Sequence, residues 1–406
     1  MRVCMITHSL YESDGRVMRY AEALAARGDE VDVIALCKNG MSREETIAGV
    51  HLFRVHSRTF KEQHKLAFLK QVATFFLKAS WMVTRRHFRK PYDLLHVHSI
   101  PETLVFAAWL PKLTGARVIL DIHDILPELY ASKFGASQRS LGFKLMLFLE
   151  RCSIAFSNHV IIANDLWKDR LVSRSMKTDK CSVFLNYPDR RIFRPLTRRS
   201  SSDKFVIMYP GTLNRHQGLD VAIRAFNRIK VEVPNAEFHI YGEGRTQGSL
   251  VQLVEQLNLT TRVIFKPMLP LRQIASVMAN ADLAVVPKRK DTFGNEAFST
   301  KILEFMSVGV PVIVSDTKID RYYFNGSIVQ FFQDGDEDDL AKKMVLLITD
   351  HKLRQQISDR AFAFVQGFDW ESHKTTYLGL VDLLVTGTTL KSTEPLAEKT
   401  AYKGAA

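Results

Sequence analysis

The apolar positions of this chain fall into short runs rich in Val and Ile, separated by stretches whose apolar residues recur every three or four positions. Residues 1–8 and 30–36 are two such runs, and Val17 to Ala26 between them has helical spacing with Gly28 as its stop. A strand, helix, strand unit of this size implies a right-handed crossover and therefore a parallel sheet. The alternation recurs: Leu94 to Val97 reads as a strand, Leu104 to Lys112 as a helix, and Val118 to Leu120 and Val160 to Ile162 as strands. Between about Asp189 and Lys204 it lapses into Pro, Arg and Ser, which is linker chemistry. A second series then runs through Phe205 to Tyr209, Glu237 to Tyr241, Val263 to Phe265, Leu283 to Val286 and Val312 to Val314, each strand followed by a helical segment. After Asp369-Trp370-Glu371 a final amphipathic helix runs to about Leu384.

The pattern predicts a doubly wound α/β domain over 1–190, a linker over 191–203 and a second doubly wound domain over 204–368. A C-terminal helix over 369–388 is expected to pack back on the first domain, and the polar tail over 389–406 to be disordered. Two similar parallel-sheet halves imply a cleft between them, with ligands at the carboxyl ends of the strands. A length of 406 residues fits two domains.

No stretch is long and apolar enough to span a bilayer, and Met1 to Thr7 reads as a buried strand, not a signal leader. Cys4, Cys37, Cys152 and Cys181 form no C-x-x-C pair, so a reduced, cytoplasmic setting is expected. The formal charge of +13 calls for an anionic partner. Part of the excess is local: between Lys61 and Lys90 eight cations face one acid, Glu62. The same segment carries Phe68, Val72, Phe75, Phe76, Ala79 and Val83 at helical spacing. That describes either a core helix with a solvated face or an interfacial helix on an anionic membrane through residues 61–90. Nucleic acid is not an expected partner, because no recognition motif accompanies the basic segment.

The densest chemistry lies in Asn295 to Val312. Ser299 can cap a helix running to Val308, with Gly309 as its stop, and the free amides of that helix start form an anion site to which Lys301 adds a full charge. Thr300, Lys301 and Glu304 share one helix face, so a ligand along it would set phosphate at the helix start and hydroxyls beside Glu304. Glu296, before the cap, is left to meet whatever lies beyond the phosphates. On spacing alone, Glu296 and Glu304 could equally be solvated helix-end acids. His96 and His98 straddle Val97 and suggest metal ligands, but no third ligand keeps helpful spacing, so packing or loop roles are expected.

Glu296 and Glu304, with seven residues between them and followed by Met306-Ser307-Val308-Gly309-Val310-Pro311, resemble the E-x7-E signature of retaining glycosyltransferase family 4. The resemblance covers most of the chain. Asp14-Gly15-Arg16 and the helix to Gly28 are similar to the family's opening loop, Leu120 to Glu128 to its acceptor-side loop, Asn186 to Asp189 to the segment entering the linker, and Tyr209 to Asp220 to the start of its donor domain. It implies the GT-B fold, two Rossmann-like domains facing a central cleft, and transfer of a sugar from a nucleoside-diphosphate sugar to an acceptor hydroxyl with retention.

By that resemblance Glu304 would hold the ribose, Glu296 a hydroxyl of the donor sugar, and the amides near Phe298 and Ser299 sugar and phosphate. His123 would reach the donor sugar, Gly15 and Arg16 the diphosphate, and Asp124 and Glu128 belong to the acceptor side. The donor loop departs from the family pattern: Thr212 follows Gly211 where an Arg is usual, and Gln217 stands where a Lys is usual. Diphosphate neutralisation is then expected from Arg215, Lys301 and Arg16. The signature lacks the Asp-x-Asp that holds a metal in other glycosyltransferases, so metal-independent transfer with no cofactor is expected. Resembling enzymes often act on lipid-linked or saccharide acceptors, which points to cell-surface polysaccharide or glycolipid synthesis at the cytoplasmic face of a membrane and makes the interfacial helix on an anionic membrane the expectation for residues 61–90. The rival readings are a nucleotide-sugar epimerase of the same architecture and a basic nucleic-acid-binding protein. A dinucleotide oxidoreductase is disfavoured, since the first strand leads into Asp14-Gly15-Arg16 and not G-x-G-x-x-G.

Overall fold

The computed structural model describes residues 1–38, 40–57, 65–135, 137–196 and 204–387, without the side chains of 65–68, 133 and 134. The tail over 389–406 and the 197–203 part of the linker lie outside the described residues. The chain forms two compact units, Met1–Asn186 with residues 373–387, and Tyr187–Ser372.

The first unit is built on β1 (Arg2–Thr7), β2 (Glu30–Cys37), β3 (Glu44–Ile47), β4 (Val50–Ser57), β5 (Leu94–His98), β6 (Arg117–Ile122), β7 (His159–Ile162) and β8 (Cys181–Val183). Their order is β3-β4-β2-β1-β5-β6-β7-β8, parallel except for the β3–β4 hairpin. Strands β1, β5 and β7 are buried at every position, which is why they read as unbroken apolar runs. The crossovers are α1 (Gly15–Arg27), α2 (Lys65–Arg89), α3 (Trp109–Leu113), α4 (Leu126–Phe134), α5 (Leu141–Phe156) and α6 (Asp165–Arg174).

The second unit carries an all-parallel sheet of β9 (Phe205–Pro210), β10 (Ala236–Tyr241), β11 (Val263–Lys266), β12 (Leu283–Val286), β13 (Val312–Ser315) and β14 (Gln330–Phe332), in the order β11-β10-β9-β12-β13-β14. Its helices are α7 (Leu219–Ile229), α8 (Gln247–Gln256), α9 (Leu271–Met278), α10 (Thr300–Ser307), α11 (Lys318–Tyr323), α12 (Glu337–Thr349) and α13 (His351–Val365). One continuous core of Ile207, Tyr209, Phe226, Phe238, Val285 and Ile313 with neighbouring helix residues fills it. In each sheet the strand order reverses beside the first strand, between β1 and β5 and between β9 and β12, and open α/β sheets bind ligands at such reversals.

The pattern of apolar positions misses β3, β4, β8 and β14. β3 is exposed, so it lacks a buried-strand signature, and its hairpin turns on Ala48 and Gly49, both at positive φ. The expected helix over Leu104 to Lys112 is a 3-10 stretch, Glu102–Ala108, running into the short α3. The last helix, α14 (Trp370–Thr386), passes from the second unit into the first, where Tyr377 stacks on Tyr20 of α1 with ring centroids 4.2 Å apart. The boundary after Asn186 falls earlier than residue 190, because Tyr187 and Phe193 are buried and grouped with the second unit.

The basic helix differs from its expected use. Phe75, Ala79 and Val83 of α2 are fully buried, so that stripe serves the core and does not face a bilayer. Lys61 lies outside the described residues, as do the side chains of Lys65 and Phe68.

Candidate active site

In the second unit the loops that follow β9, β10 and β12 collapse onto one another, and glycine occupies the contacts. Gly211, at φ 139°, donates its amide to the Tyr241 carbonyl at 2.8 Å. A Cβ on Gly242 would sit 1.9 Å from the Gly211 carbonyl oxygen, and one on Gly218 would sit 1.9 Å from that of Pro287. Both are overlaps with backbone, which cannot move aside as a side chain can. The Arg289 amide donates to the His216 carbonyl at 2.8 Å, tying the first loop to the third.

Into this loop cluster points the start of α10. Ser299 occupies the N-cap position but makes no capping hydrogen bond, contrary to the expectation for it. Its Oγ is buried with no hydrogen-bond partner among the described residues. A buried hydroxyl left unmade costs about 1–3 kcal/mol, so a ligand that bonds it has a ready gain. Lys301, in the first turn, runs over Gly211: a Cβ there would meet its Cε at 2.3 Å and its Nζ at 3.0 Å. Its Nζ also lies 5.5 Å from the centre of the Tyr209 ring. Burial lowers the Lys301 pKa, with Glu304 opposing and Lys288 adding to the shift. Glu304 sits one turn along α10 from Thr300, on the face the spacing predicts.

Lys288 is the residue sequence reasoning missed. Its buried ammonium donates to the Ala297 carbonyl at 2.7 Å and lies 3.1 Å from the Asp320 carboxylate, so it braces the loop that presents Glu296 and Phe298. Only its place after a buried strand, in Pro287-Lys288-Arg289, could have marked it. Glu296 is buried, with Lys318 at 3.2 Å from Oε1, and the Phe298 ring packs edge-on against Tyr323 at 5.0 Å. Thr212 and Arg215 are exposed, Arg215 on a 3-10 turn Arg215–Gln217 beside the half-buried His216. The structure thus gathers Gly211, Ser299, Thr300, Lys301 and Glu304 about one helix start.

In the first unit the ends of β1, β5 and β6 gather a second polar cluster. Arg16 grips the fully buried Asp121 with two N–H donors, each at 2.8 Å, and donates a third to the Phe184 carbonyl at 2.7 Å. Its side chain is only 4% exposed. Arg16 is therefore an internal counter-charge, and the expectation that it binds diphosphate is corrected on that ground. The Asp121 Oδ2 is also 3.2 Å from both His98 Nδ1 and His123 Nε2. Burial pushes the Asp121 pKa up, but Arg16 and the histidine contacts outweigh it and hold the carboxyl well below its usual range. Burial lowers the pKa values of His96 and His98, leaving them neutral rings, stacked with centroids 4.2 Å apart.

A third donor for the two histidines does exist: ligand atoms of His96, His98 and Asp121 lie within 4.8 Å of one another. Spacing along one strand could not reveal it, because Asp121 comes from the neighbouring β6, in register with His98. Both Asp121 oxygens are bonded by Arg16, so the cluster already contains its cation. His123 is the member that reaches the surface, its side chain 22% exposed. Asp14 caps α1 by accepting from the Val17 amide at 3.2 Å, so Gly15 opens that helix.

On the acceptor-side loop, burial raises the pKa of Asp124, with His123 opposing. Glu128 is buried and held by Arg174 at 2.5 Å and Arg170 at 3.3 Å. Its carboxylate anchors α4 to α6, which corrects its reading as an acceptor contact. Glu102, a residue the sequence did not mark, is buried in the same region and accepts the Leu126 amide at 3.3 Å.

Two family models divide the chain between them: one described as a glycosyl transferase 4-like domain matches residues 15–186, and one described as glycosyl transferases group 1 matches residues 195–364. The chain belongs to glycosyltransferase family 4. It is an enzyme, a glycosyltransferase of GT-B fold. An uncharacterised glycosyltransferase of Methanocaldococcus jannaschii is 25% identical over 87% of this chain and 89% of the relative. The N-acetyl-alpha-D-glucosaminyl L-malate synthase of Bacillus anthracis is 24% identical over 67% of this chain and 70% of its own. Among solved structures, sucrose-phosphate synthase from Thermosynechococcus elongatus superposes with a TM-score of 0.79 at 17% identity, over 96% of this chain and 100% of that one. HepE of Anabaena, solved in complex with UDP and glucose, superposes with a TM-score of 0.71 at 18% identity over the same shares.

Proposed function

We propose that this glycosyltransferase moves a sugar from a nucleoside-diphosphate sugar to an acceptor hydroxyl with retention at the anomeric carbon, in cell-surface polysaccharide or glycolipid synthesis. One observation carries the reading: the half-buried Lys301 side chain lies over Gly211 at the start of α10, where Ser299 Oγ has no partner among the described residues and Glu304 follows one turn on.

The chemical difficulty of the transfer is the negative charge that develops on the departing diphosphate. The amides at the start of α10 and the Lys301 ammonium stabilise that charge, and a preorganised donor of this kind contributes about 2.7–4 kcal/mol to the barrier reduction. Glu304 accepts the ribose hydroxyls and Glu296 a hydroxyl of the donor sugar, while Lys288 keeps the Glu296 loop in place. In the first unit the His123 ring is oriented by Asp121, which Arg16 holds in place. Since Lys301 and the helix dipole supply the positive charge, transfer proceeds without a metal ion. Activity lost in EDTA and restored by Mn²⁺ or Mg²⁺ contradicts that part.

The test is a panel of UDP-, GDP-, ADP- and dTDP-sugars in thermal shift, since a ligand at 100 times its Kd adds ~2.7 kcal/mol. Proton NMR of the product made from the stabilising donor follows. An axial donor sugar giving an axial product supports retention; an inverted product refutes it, and no shift with any nucleotide sugar refutes the donor class.

A further inference from the structure

Helices α7 and α8 of the second unit enclose a groove of about 430 Å³, within the size range of small-molecule sites. Both helices connect strands that step the same way along the sheet, β9 to β10 and β10 to β11, whereas α10 connects β12 to β13 and steps the other way. Right-handed crossovers that step oppositely lie on opposite faces, so the groove and α10 are on different sides of the sheet. The wall of the groove contains none of Gly211, Ser299, Thr300, Lys301 or Glu304.

The groove is cationic. Arg215, Arg224 and Arg289 line it against a single acid, Asp220, which Arg289 already holds at 2.5 Å. Arg215, expected from the sequence at the diphosphate, is exposed on its 3-10 turn and has no hydrogen bond or ion pair among the described residues. Arg224 meets Glu337 at 3.5 Å with its side chain 47% exposed, a contact worth little. The Nε of Arg289 is buried and has no hydrogen-bond partner among the described residues. Leaving such a donor unmade is costly, so a ligand oxygen that meets it is favoured. Leu219 and Thr246 stand at the starts of α7 and α8, which brings the positive ends of both helix dipoles to the same end of the groove as Arg215.

The remaining wall suits a hydroxylated body. Leu219, Leu250 and Leu253 are buried and give it apolar surface. Thr246 and Ser249 donate their hydroxyl protons to the Leu213 and Thr246 carbonyls, both at 2.8 Å, which leaves their oxygens as acceptors for ligand hydroxyls. Gln252 and Gln256, exposed one turn apart on α8, add amide donors and acceptors.

We propose that the α7–α8 groove binds a sugar phosphate, its phosphate gripped by Arg215, Arg224 and Arg289 and its hydroxyls by Thr246, Ser249 and the two glutamines of α8. Arginine forks match phosphate oxygens in pairs, and here three of them face one carboxylate. A bare inorganic anion leaves the leucines and the hydroxyl acceptors of the groove unused. An occupant held by Arg215 and Arg289 bridges the loops after β9 and β12, which the Arg289 amide and the His216 carbonyl already join at 2.8 Å. The binding itself does not depend on a nucleotide sugar lying along α10.

Calorimetric titration of the full chain with glucose 6-phosphate, glucose 1-phosphate and inorganic phosphate tests it. At least one of the sugar phosphates is expected to bind once per chain, and at least about tenfold more tightly than inorganic phosphate, a difference of ~1.4 kcal/mol. Arg215→Gln with Arg224→Gln changes two exposed side chains and should weaken that binding at least about tenfold, with the melting temperature unchanged. Ser249→Glu sets an acid in the groove from the exposed side of α8 and should weaken it by repulsion. Lys301→Ala, at the start of α10, should keep wild-type affinity for the sugar phosphate whatever it does to nucleotide binding. Failure of both sugar phosphates to bind, equal affinity for inorganic phosphate, or binding unaffected by Arg215→Gln with Arg224→Gln overturns the proposal. Binding lost in Lys301→Ala and kept in the arginine variant assigns the anion to the start of α10 and overturns it too.

Discussion

Replacing Gly211 by Ala tests whether the loop after β9 exists to seat the Lys301 ammonium. The new Cβ would stand 2.3 Å from Lys301 Cε and 3.0 Å from its Nζ, and 3.4 Å from the Tyr209 hydroxyl. The first two are the flexible end of a side chain, so Lys301 swings away and the backbone stays. A second cost comes from φ 139°, a conformation L residues rarely adopt, at about 1–3 kcal/mol. The expected result is a folded protein with a modestly lowered melting temperature and a transfer rate down by about 10²–10³, the loss typical of one charge-stabilising donor. Lys301→Ala should lose a similar factor without the backbone cost, and the double variant should be little worse than either, because the two changes remove one interaction. Steady-state kinetics of the three variants with the identified donor decides the matter. Fully additive losses, or Gly211→Ala with wild-type kcat, refute the reasoning. By contrast Gly242→Ala sets a Cβ 1.9 Å from a carbonyl oxygen and should fail at folding first.

Arg16→Met leaves Asp121 buried without its counter-charge and should cost ~3–5 kcal/mol in denaturant unfolding at neutral pH. The folded pKa of Asp121 is depressed, so its contribution is present above the unfolded value and lost as pH falls; the gap between wild type and variant should therefore narrow in acid, and a gap independent of pH counts against the pairing. Glu102 titrates the other way: burial, with minor help from Glu150 and Asp124, raises its pKa from 4.5 to about 8. The folded state holds that proton while the unfolded state has released it, so stability falls as pH rises between those values, and Glu102→Gln should remove that part of the slope in urea titrations at pH 5, 6.5 and 8.

Much of the fold was legible because most strands are buried on both faces and appear as unbroken apolar runs. β3 failed that test because it is exposed, and β8 and β14 are three residues each, too short for a period. At the site, residues clustered in one segment could be read together: Thr300, Lys301 and Glu304 share one helix, and their spacing implied their common face. Residues paired across elements could not. Arg16 carried a phosphate-binder's chemistry, yet its partner Asp121 is 105 positions away and on β6, so its internal use was invisible. Glu128 was misread for the same reason, since Arg174 reaches it from another helix. Lys288 went unmarked because its pocket is made by Asp320 and Ala297, 32 and 9 positions along the chain. The outward face of α2 was hidden by its own apolar core stripe, because a helix apolar on two sides shows no single period.

The central claim is that a nucleoside diphosphate lies along α10, with ribose at Glu304 and the sugar beyond it at Glu296. Calorimetric titration of the nucleoside diphosphate into wild type, Glu304→Ala and Glu296→Ala tests this most directly. The account predicts at least about tenfold weaker binding for Glu304→Ala, a difference of ~1.4 kcal/mol, and near wild-type affinity for Glu296→Ala, whose defect appears only in transfer. Equal losses of nucleotide affinity in both variants, or none in Glu304→Ala, contradict it.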